Sequence, residues 1–203
     1  MLGLPLSTEV NRRVAKEKIY SNANLTPELR VVIKDQIEAI IWRNKLADST
    51  FNVSTGVTVS ELQVFELQLR QRSLDKRVLT VIAKSIPYKI LFILSFSEDA
   101  QAWIEVEGKL YNTDWQPLEN MLFNFEGLNL DAIYEKLARQ IAGGRLGASG
   151  DIAEAVELDN QQQKLKRDIA SLERKVVNEK QFNKKVELNT ELKRLKKQLE
   201  DLT

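Results

Sequence analysis

Two residue types that carry much of enzyme chemistry are absent from this chain of 203 residues, which contains no cysteine and no histidine. Without cysteine there is no disulfide, no thiolate nucleophile and no zinc site with cysteine ligands, and such a composition suits a reducing compartment. Without histidine the Ser/His and Cys/His catalytic pairs are excluded. Any catalysis would have to use carboxylates, lysine, tyrosine or hard metal cations.

Long apolar runs and an excess of one charge are also missing. The longest apolar stretch, 86–96, is interrupted by Pro87, Lys89 and Ser95, and it is far shorter than the roughly 20 residues that span a bilayer. The first six residues lack the features of a signal peptide. The 30 basic residues nearly balance the 29 acidic ones, so overall charge predicts no anionic partner. We expect a cytoplasmic protein without a membrane anchor.

Hydrophobic patterns in the front of the chain predict one mixed α/β (α+β) domain over residues 1–142. Thr26 and Pro27 are typical of a helix start, and apolar residues at helical spacing extend that helix to about Leu46. Apolar residues at 115–125 and again at 130–141 predict two further helices that close the domain.

The middle of this domain predicts a small mixed sheet. Strands are expected at 61–70, 89–96 and 100–106, with a helix capped by Ser73 between the first two. A helical crossover makes the first two strands parallel, and the short turn before the third makes it antiparallel. The expected fold is therefore a two-layer or three-layer domain around a small mixed sheet.

A different pattern begins after residue 142. Residues 143–150 are rich in glycine and predict a linker, and residues 151–203 contain no proline or glycine and predict a coiled coil. The two apolar stripes of this segment, which are our candidate partner-binding residues, are Leu165, Ile169, Leu172 and Val176, and then Leu188, Leu192, Leu195 and Leu199. The stripes do not share one heptad frame, which is compatible with one long helix or a helical hairpin. Such narrow stripes must pair with each other, another copy, the front domain or a different protein.

A local cluster of positive charge lies near the start of the chain. Arg12, Arg13, Lys16 and Lys18 form a basic arm that is our candidate nucleic-acid-binding element. The same residues also suit a contact with an acidic partner, or a solvated arm with no ligand.

The search for catalytic residues gives one weak candidate. The order of elements is roughly that of the restriction-endonuclease-like core, with Glu66 and Gln68 on the strand that carries metal-binding residues in such enzymes. A hard cation such as Mg²⁺ needs a second carboxylate, for which Asp48 or Glu61 is available. However, Gln68 replaces the expected lysine, so we expect no metal, no cofactor and, on balance, no enzyme. A glutamate paired at the sheet face is the simpler interpretation of Glu66.

Several segments together resemble the bacterial and archaeal family known as domain of unknown function 4391. They cover nearly the whole chain and are Leu4-Pro5, residues 7–13, residues 16–18, Asp35-Gln36-Ile37, residues 42–46, Ile86-Pro87-Tyr88 and residues 179–189. The sequence departs from the family at Ala15, where many relatives are expected to have proline. The resemblance implies an accessory role, because genes of this family often stand beside helicases and DNA methyltransferases in antiviral-defence clusters.

Three functions follow as expectations. The first is an adaptor subunit that binds a neighbouring helicase or DNA methyltransferase through its coiled coil and also contacts DNA. The second is a degenerate nuclease, or another DNA-acting effector, around Glu66. The third is a structural protein that forms homo-oligomers through the apolar stripes. The sequence identifies no established catalytic residue.

Overall fold

The structure is a computed structural model that describes residues 2–23 and 25–202. The chain forms two compact units, Met1–Gly144 and Arg145–Thr203. No helix within the described ranges is both long and apolar enough to cross a membrane.

Seven strands of the described residues form one open, mostly antiparallel sheet in the first unit. They are β1 (Glu9–Val14), β2 (Ile37–Leu46), β3 (Leu62–Leu69), β4 (Lys89–Phe96), β5 (Asp99–Val106), β6 (Lys109–Asn112) and β7 (Gln116–Pro117). The first six lie in chain order across the sheet, and β7 pairs with β5. Only the β3–β4 pair is parallel.

Five helices accompany these strands in the described part of the first unit. They are α1 (Lys16–Asn22), α2 (Pro27–Gln36), α3 (Asp48–Phe51), α4 (Lys76–Ser85) and α5 (Leu130–Ala142). Helices α1, α2 and α4 bury Ile19, Ile33 and Leu79 against one face of the sheet. Helix α5 packs against β5 and β6, where the Tyr134 hydroxyl donates to the carbonyl oxygen of Glu105. The predicted mixed α/β (α+β) fold is confirmed.

The predicted helix from Pro27 to Leu46 is wrong in its second half. Helix α2 ends at Gln36, where the N–H of Ile37 still donates to the carbonyl oxygen of Ile33. From Ile37 onward the chain is extended because it lies between β1 and β3 and pairs with both. Isoleucines suit a strand better than a helix, since their branched side chains pack well on a pleated surface.

The basic arm consists of the edge strand β1 and the short helix α1. Two smaller expectations need correction. The helix expected at 115–125 is absent, and β7, a single 3-10 turn at Leu118–Asn120 and irregular chain take its place. The cap of α4 is Asp75 rather than Ser73, since the Asp75 carboxylate accepts the backbone N–H of Arg77 at 2.9 Å.

The second unit contains two helices among its described residues, α6 (Ile152–Asn178) and α7 (Phe182–Asp201). Asp151 caps α6 by accepting the backbone N–H groups of Ala153 and Glu154. Glu173 contacts Lys196 at 2.8 Å, and the Gln162 side chain donates to the carbonyl oxygen of Leu202 at 2.6 Å. These contacts require α7 to run back along α6. The segment is therefore a helical hairpin rather than one long helix, and its coiled-coil geometry stays a prediction.

Candidate functional sites

Glu66 lies in the middle of the sheet and is 2% exposed. Its Oε2 atom accepts from Nε of Arg43 at 2.5 Å and lies 2.5 Å from Nη2 of the same residue. Its Oε1 atom accepts from the Ser95 hydroxyl at 2.7 Å and from Nε2 of Gln68 at 3.4 Å. Both carboxylate oxygens are thus supplied with donors by β2, β3 and β4.

Arg43 lies at a bulge in β2, on the strand next to the one that carries Glu66. Trp42 pairs with Phe65 and Asn44 pairs with Val64, so Arg43 has no partner of its own on β3. An extra residue in one strand bends that strand and re-aims its side chains. Ile41 pairs with Glu66 and Arg43 lies two positions further along β2, so the guanidinium of Arg43 projects from the same face of the sheet as Glu66.

The other proposed metal ligands lie away from Glu66. Glu61 precedes Glu66 by five positions on an extended chain, which separates their α-carbons by about 17 Å. The Glu61 carboxylate is 2.9 Å from Nζ of Lys45 and also accepts from the Gln63 amide. Asp48 starts α3, beyond the end of β2 that pairs with the start of β3.

The surroundings of Glu66 therefore suit an ion pair better than a metal centre. Residues 2–23 and 25–202 contain no group of three or more acidic side chains that could hold a metal ion. The geometry brings Glu66 and Gln68 together and supplies an arginine where a second metal-binding carboxylate is needed.

The four basic residues predicted to bind nucleic acid occupy two elements. Arg12 and Arg13 lie on β1, and Lys16 and Lys18 lie on α1. The Lys16 ammonium donates to the carbonyl oxygen of Ile37 at the start of β2, whereas Lys18 is exposed. Burial lowers the pKa of Lys16, and the nearby guanidinium groups of Arg70 and Arg13 lower it further, against the opposing effect of Glu17 and Asp35.

Arg70 is a member of this cluster that sequence reasoning missed. It lies 54 positions after Lys16 in the chain and comes close because its backbone N–H donates to the carbonyl oxygen of Gln36 at 2.9 Å, which extends the pairing of β3 with β2. The sequence does show that Arg70 directly follows a strongly apolar strand. Placing Arg70 near Lys16 also requires knowing that this strand, β3, pairs with β2.

The eight predicted partner-binding residues lie along the hairpin. Ile169 is buried, and the other seven are half-buried: Leu165, Leu172, Val176, Leu188, Leu192, Leu195 and Leu199. Because α6 and α7 pack against each other, these stripes supply apolar surface at the contact between the two helices. Their proposed role in binding a separate partner stays a prediction.

A different set of apolar residues is exposed at the closed end of the hairpin. Val177, Phe182 and Val186 have exposed fractions of 77%, 78% and 49%. They belong to the segment 174–186, in which five basic residues and one acidic residue give a net charge of +4. We call this segment the hairpin tip. Sequence reasoning missed it because these three residues lie outside both apolar stripes.

The fold and these surfaces define an α+β protein with an appended helical hairpin. The chain belongs to the family described as Domain of unknown function (DUF4391), whose model matches residues 2–199. The match extends over the sheet unit and nearly all of the hairpin, and it confirms the family expected from the sequence. No curated protein and no solved structure matches the chain.

Proposed function

We propose that this chain is an accessory subunit that binds a partner protein through the hairpin tip. The observation that carries the proposal is the exposure of Val177, Phe182 and Val186 within a segment of net charge +4. Phe182 and Val186 are one helical turn apart, so their side chains share a face of α7. Exposed aromatic and aliphatic side chains with a polar rim are typical of protein interfaces.

The charge of the tip specifies the chemistry of that partner. A complementary surface would have an apolar pocket for Phe182 and acidic groups for the lysines around it, among them Lys180, Lys184 and Lys185. Such charges increase the association rate and select the orientation, while the buried aromatic side chain supplies most of the affinity.

The family supplies the candidate partners. The resemblance implies a helicase or DNA methyltransferase encoded beside this gene in an antiviral-defence cluster, and we include that role in the proposal. The degenerate nuclease has weaker support, because Arg43 pairs with Glu66 and the other carboxylates lie elsewhere. Self-association through the apolar stripes has weaker support as well, because the packing of α6 against α7 already buries or half-buries the residues of both stripes.

Co-expression with the neighbouring helicase or methyltransferase tests the proposal. The full chain would be compared with a tip variant, Val177→Ser with Phe182→Ser and Val186→Ser, by co-purification and by the mass of the complex. A matched control is Val57→Ser with Leu128→Ser, which removes two aliphatic side chains that are 98% and 94% exposed in the sheet unit.

The expected result is a stoichiometric complex with the full chain and the control variant, and loss of that complex with the tip variant. A complex that survives in the tip variant would overturn the assignment of the tip. If the full chain binds neither neighbour, the adaptor function fails. A homo-oligomer that the tip variant disrupts would favour self-association instead.

A further inference from the structure

Three basic side chains meet at the end of the sheet where β1 finishes. Arg13 pairs with Ile41, and Ile41 in turn pairs with Glu66, so Arg13 projects from the same face as Glu66. Arg70 directly follows Leu69, whose side chain lies in the core beneath α1, α2 and α4. The alternation of side chains therefore places Arg70 on the opposite face, with Arg13.

Lys16 completes this group, which we call the sheet-end cluster: Arg13, Lys16 and Arg70. Its ammonium donates to the carbonyl oxygen of Ile37, the first residue of β2. Strand β2 lies between β1, which carries Arg13, and β3, after which Arg70 follows. The lysine is thus anchored on the strand that separates the two arginines.

The two arginines are not neutralised by the protein. Within residues 2–23 and 25–202, neither Arg13 nor Arg70 has a side-chain hydrogen bond or an ion pair, and both are exposed. Other arginines of the sheet unit do form ion pairs: a carboxylate oxygen lies within 3.0 Å of the guanidinium group in each of Arg43, Arg72 and Arg77. Glu17 and Asp35 also act on Lys16, but their effect on its pKa is smaller than that of the arginines.

We propose that the sheet-end cluster binds the phosphate groups of a nucleic-acid backbone. Arginine presents a planar fork of donors that matches phosphate oxygens, and both forks are available to solvent. The two exposed arginines lie on β1 and just after β3, with β2 between them. Such a spread suits an extended polyanion, whereas a small anion is normally held in a concave site. Contacts with phosphate groups position a protein on the nucleic acid and contribute affinity, but they do not distinguish one base sequence from another.

The cluster is separate from the hairpin tip and does not depend on the adaptor function. It lies entirely in the sheet unit, and its test requires only this chain and nucleic acid. Failure of one proposal therefore leaves the other intact.

The test is a titration of the full chain against a fluorescent DNA duplex of random sequence over a series of salt concentrations. The slope of log K against log [salt] reports the number of phosphates neutralised. Three proteins are compared: the natural sequence, Arg13→Gln with Arg70→Gln, and the control Lys84→Gln with Lys136→Gln. The control removes the same charge from exposed positions on α4 and α5.

We expect salt-dependent binding by the natural sequence and by the control, and a slope reduced by roughly two in the Arg13→Gln, Arg70→Gln variant. Arg13→Lys with Arg70→Lys should recover most of the slope, because lysine retains the charge. Circular dichroism and the melting temperature would establish that each variant is folded.

Three results would overturn the proposal. The first is absence of binding by the natural sequence at low salt. The second is an unchanged slope when Arg13 and Arg70 are replaced. The third is an equal reduction in the control, which would assign binding to overall charge rather than to the sheet-end cluster.

Discussion

The guanidinium of Arg43 lies 2.5 Å from the carboxylate of Glu66, although the Glu66 side chain is only 3% exposed and that of Arg43 is 29% exposed. The pair is asymmetric, since one partner retains contact with water and the other does not. Removing Arg43 and removing Glu66 should therefore reduce the free energy of unfolding by different amounts. A buried carboxylate without its arginine is the less favourable of the two situations.

Arg43→Ala should reduce the free energy of unfolding by about 3 kcal/mol, at the lower end of the range for breaking a buried ion pair. Glu66→Gln should cost about 1 kcal/mol, because the amide oxygen still accepts a hydrogen bond and Arg43 can turn to solvent. Urea denaturation measures both. Arg12→Ala on β1 is the matched control, with little change expected, and equal costs for the two variants would contradict the asymmetry.

The Asp131 carboxylate is held by the loop at 57–59. It accepts the backbone N–H groups of Val57, Thr58 and Val59 and the Thr58 hydroxyl, at distances from 2.7 to 3.3 Å. Burial by itself would raise the pKa of Asp131, but the bonds from Thr58, Val59 and Val57 outweigh it and lower the pKa below the ordinary value of 3.8. These bonds fix the loop to the first turn of α5.

Stability should consequently depend on Asp131 in acid. The folded protein binds this proton less readily than the unfolded chain, so the stabilising contribution is fully present above about pH 4 and is lost as the pH falls through the folded pKa. Asp131→Asn should cost about 2 kcal/mol at neutral pH, because its amide group replaces an acceptor by a donor. This difference in the free energy of unfolding between Asp131→Asn and the natural sequence should become smaller toward pH 2.

Urea denaturation of both proteins between pH 2 and pH 7 measures this dependence. Asp114→Asn, at an exposed position, controls for general effects of charge. A constant difference between the natural sequence and Asp131→Asn across this range would exclude the proposed role of the carboxylate.

Gly56 and Asp131 should be energetically coupled. A β-carbon at position 56 would lie 2.2 Å from both Cγ and Oδ1 of Asp131, which is closer than atoms can approach. Gly56→Ala should therefore cost about 1–3 kcal/mol through the displaced carboxylate. In an Asp131→Ala background the obstacle is gone, and the same substitution should cost much less.

A double-mutant cycle of four proteins measures this coupling, which should exceed about 1 kcal/mol. Additive effects would show that Gly56→Ala acts through the backbone of its own loop. Gly108→Ala does not provide a control, because the φ angle of Gly108 is +75° and disfavours any side chain.

The central part of the sheet was predictable from sequence. The strand expected at 89–96 is observed as Lys89–Phe96, and the strand expected at 61–70 is observed as Leu62–Leu69. Both are short apolar runs bounded by polar or turn-forming residues, and a helix with a clear apolar face separates them. Their parallel pairing followed from that crossover and is confirmed.

The errors arose where a local pattern fits two structures. Isoleucines at 37, 40 and 41 satisfy helical spacing, but all three pair with β3, and those at 40 and 41 also pair with β1, so they are extended. Strand β6 pairs with β5 and has no strong pattern of its own, whereas the apolar residues at 115–125 suggest a helix although β7 in that segment pairs with β5. Tertiary context overrides weak local preference in such segments.

The candidate sites were less predictable than the fold. Glu66 was identified, but its partner Arg43 lies on the neighbouring strand, and their contact depends on how β2 aligns with β3. Arg70 joins Arg13 and Lys16 only because three strands align. In each case the missing information is the register between strands, which no single segment contains.

The hairpin allows a last prediction about what holds α6 and α7 together. Ile169 is 9% exposed and lies on the apolar stripe of α6, whereas Glu173 and Lys196 form an ion pair whose side chains are 47% and 51% exposed. Ile169→Ala should destabilise the hairpin by about 2 kcal/mol. Glu173→Gln should change the stability of the hairpin by less than about 0.5 kcal/mol, because exposed ion pairs contribute little.

Hydrogen exchange at the amides of α6 and α7 measures both effects. Val177→Ala, which truncates an exposed aliphatic side chain on the same helix, should leave exchange nearly unchanged. Faster exchange in Glu173→Gln than in Ile169→Ala would mean that charge, rather than the apolar stripes, determines the pairing of the two helices.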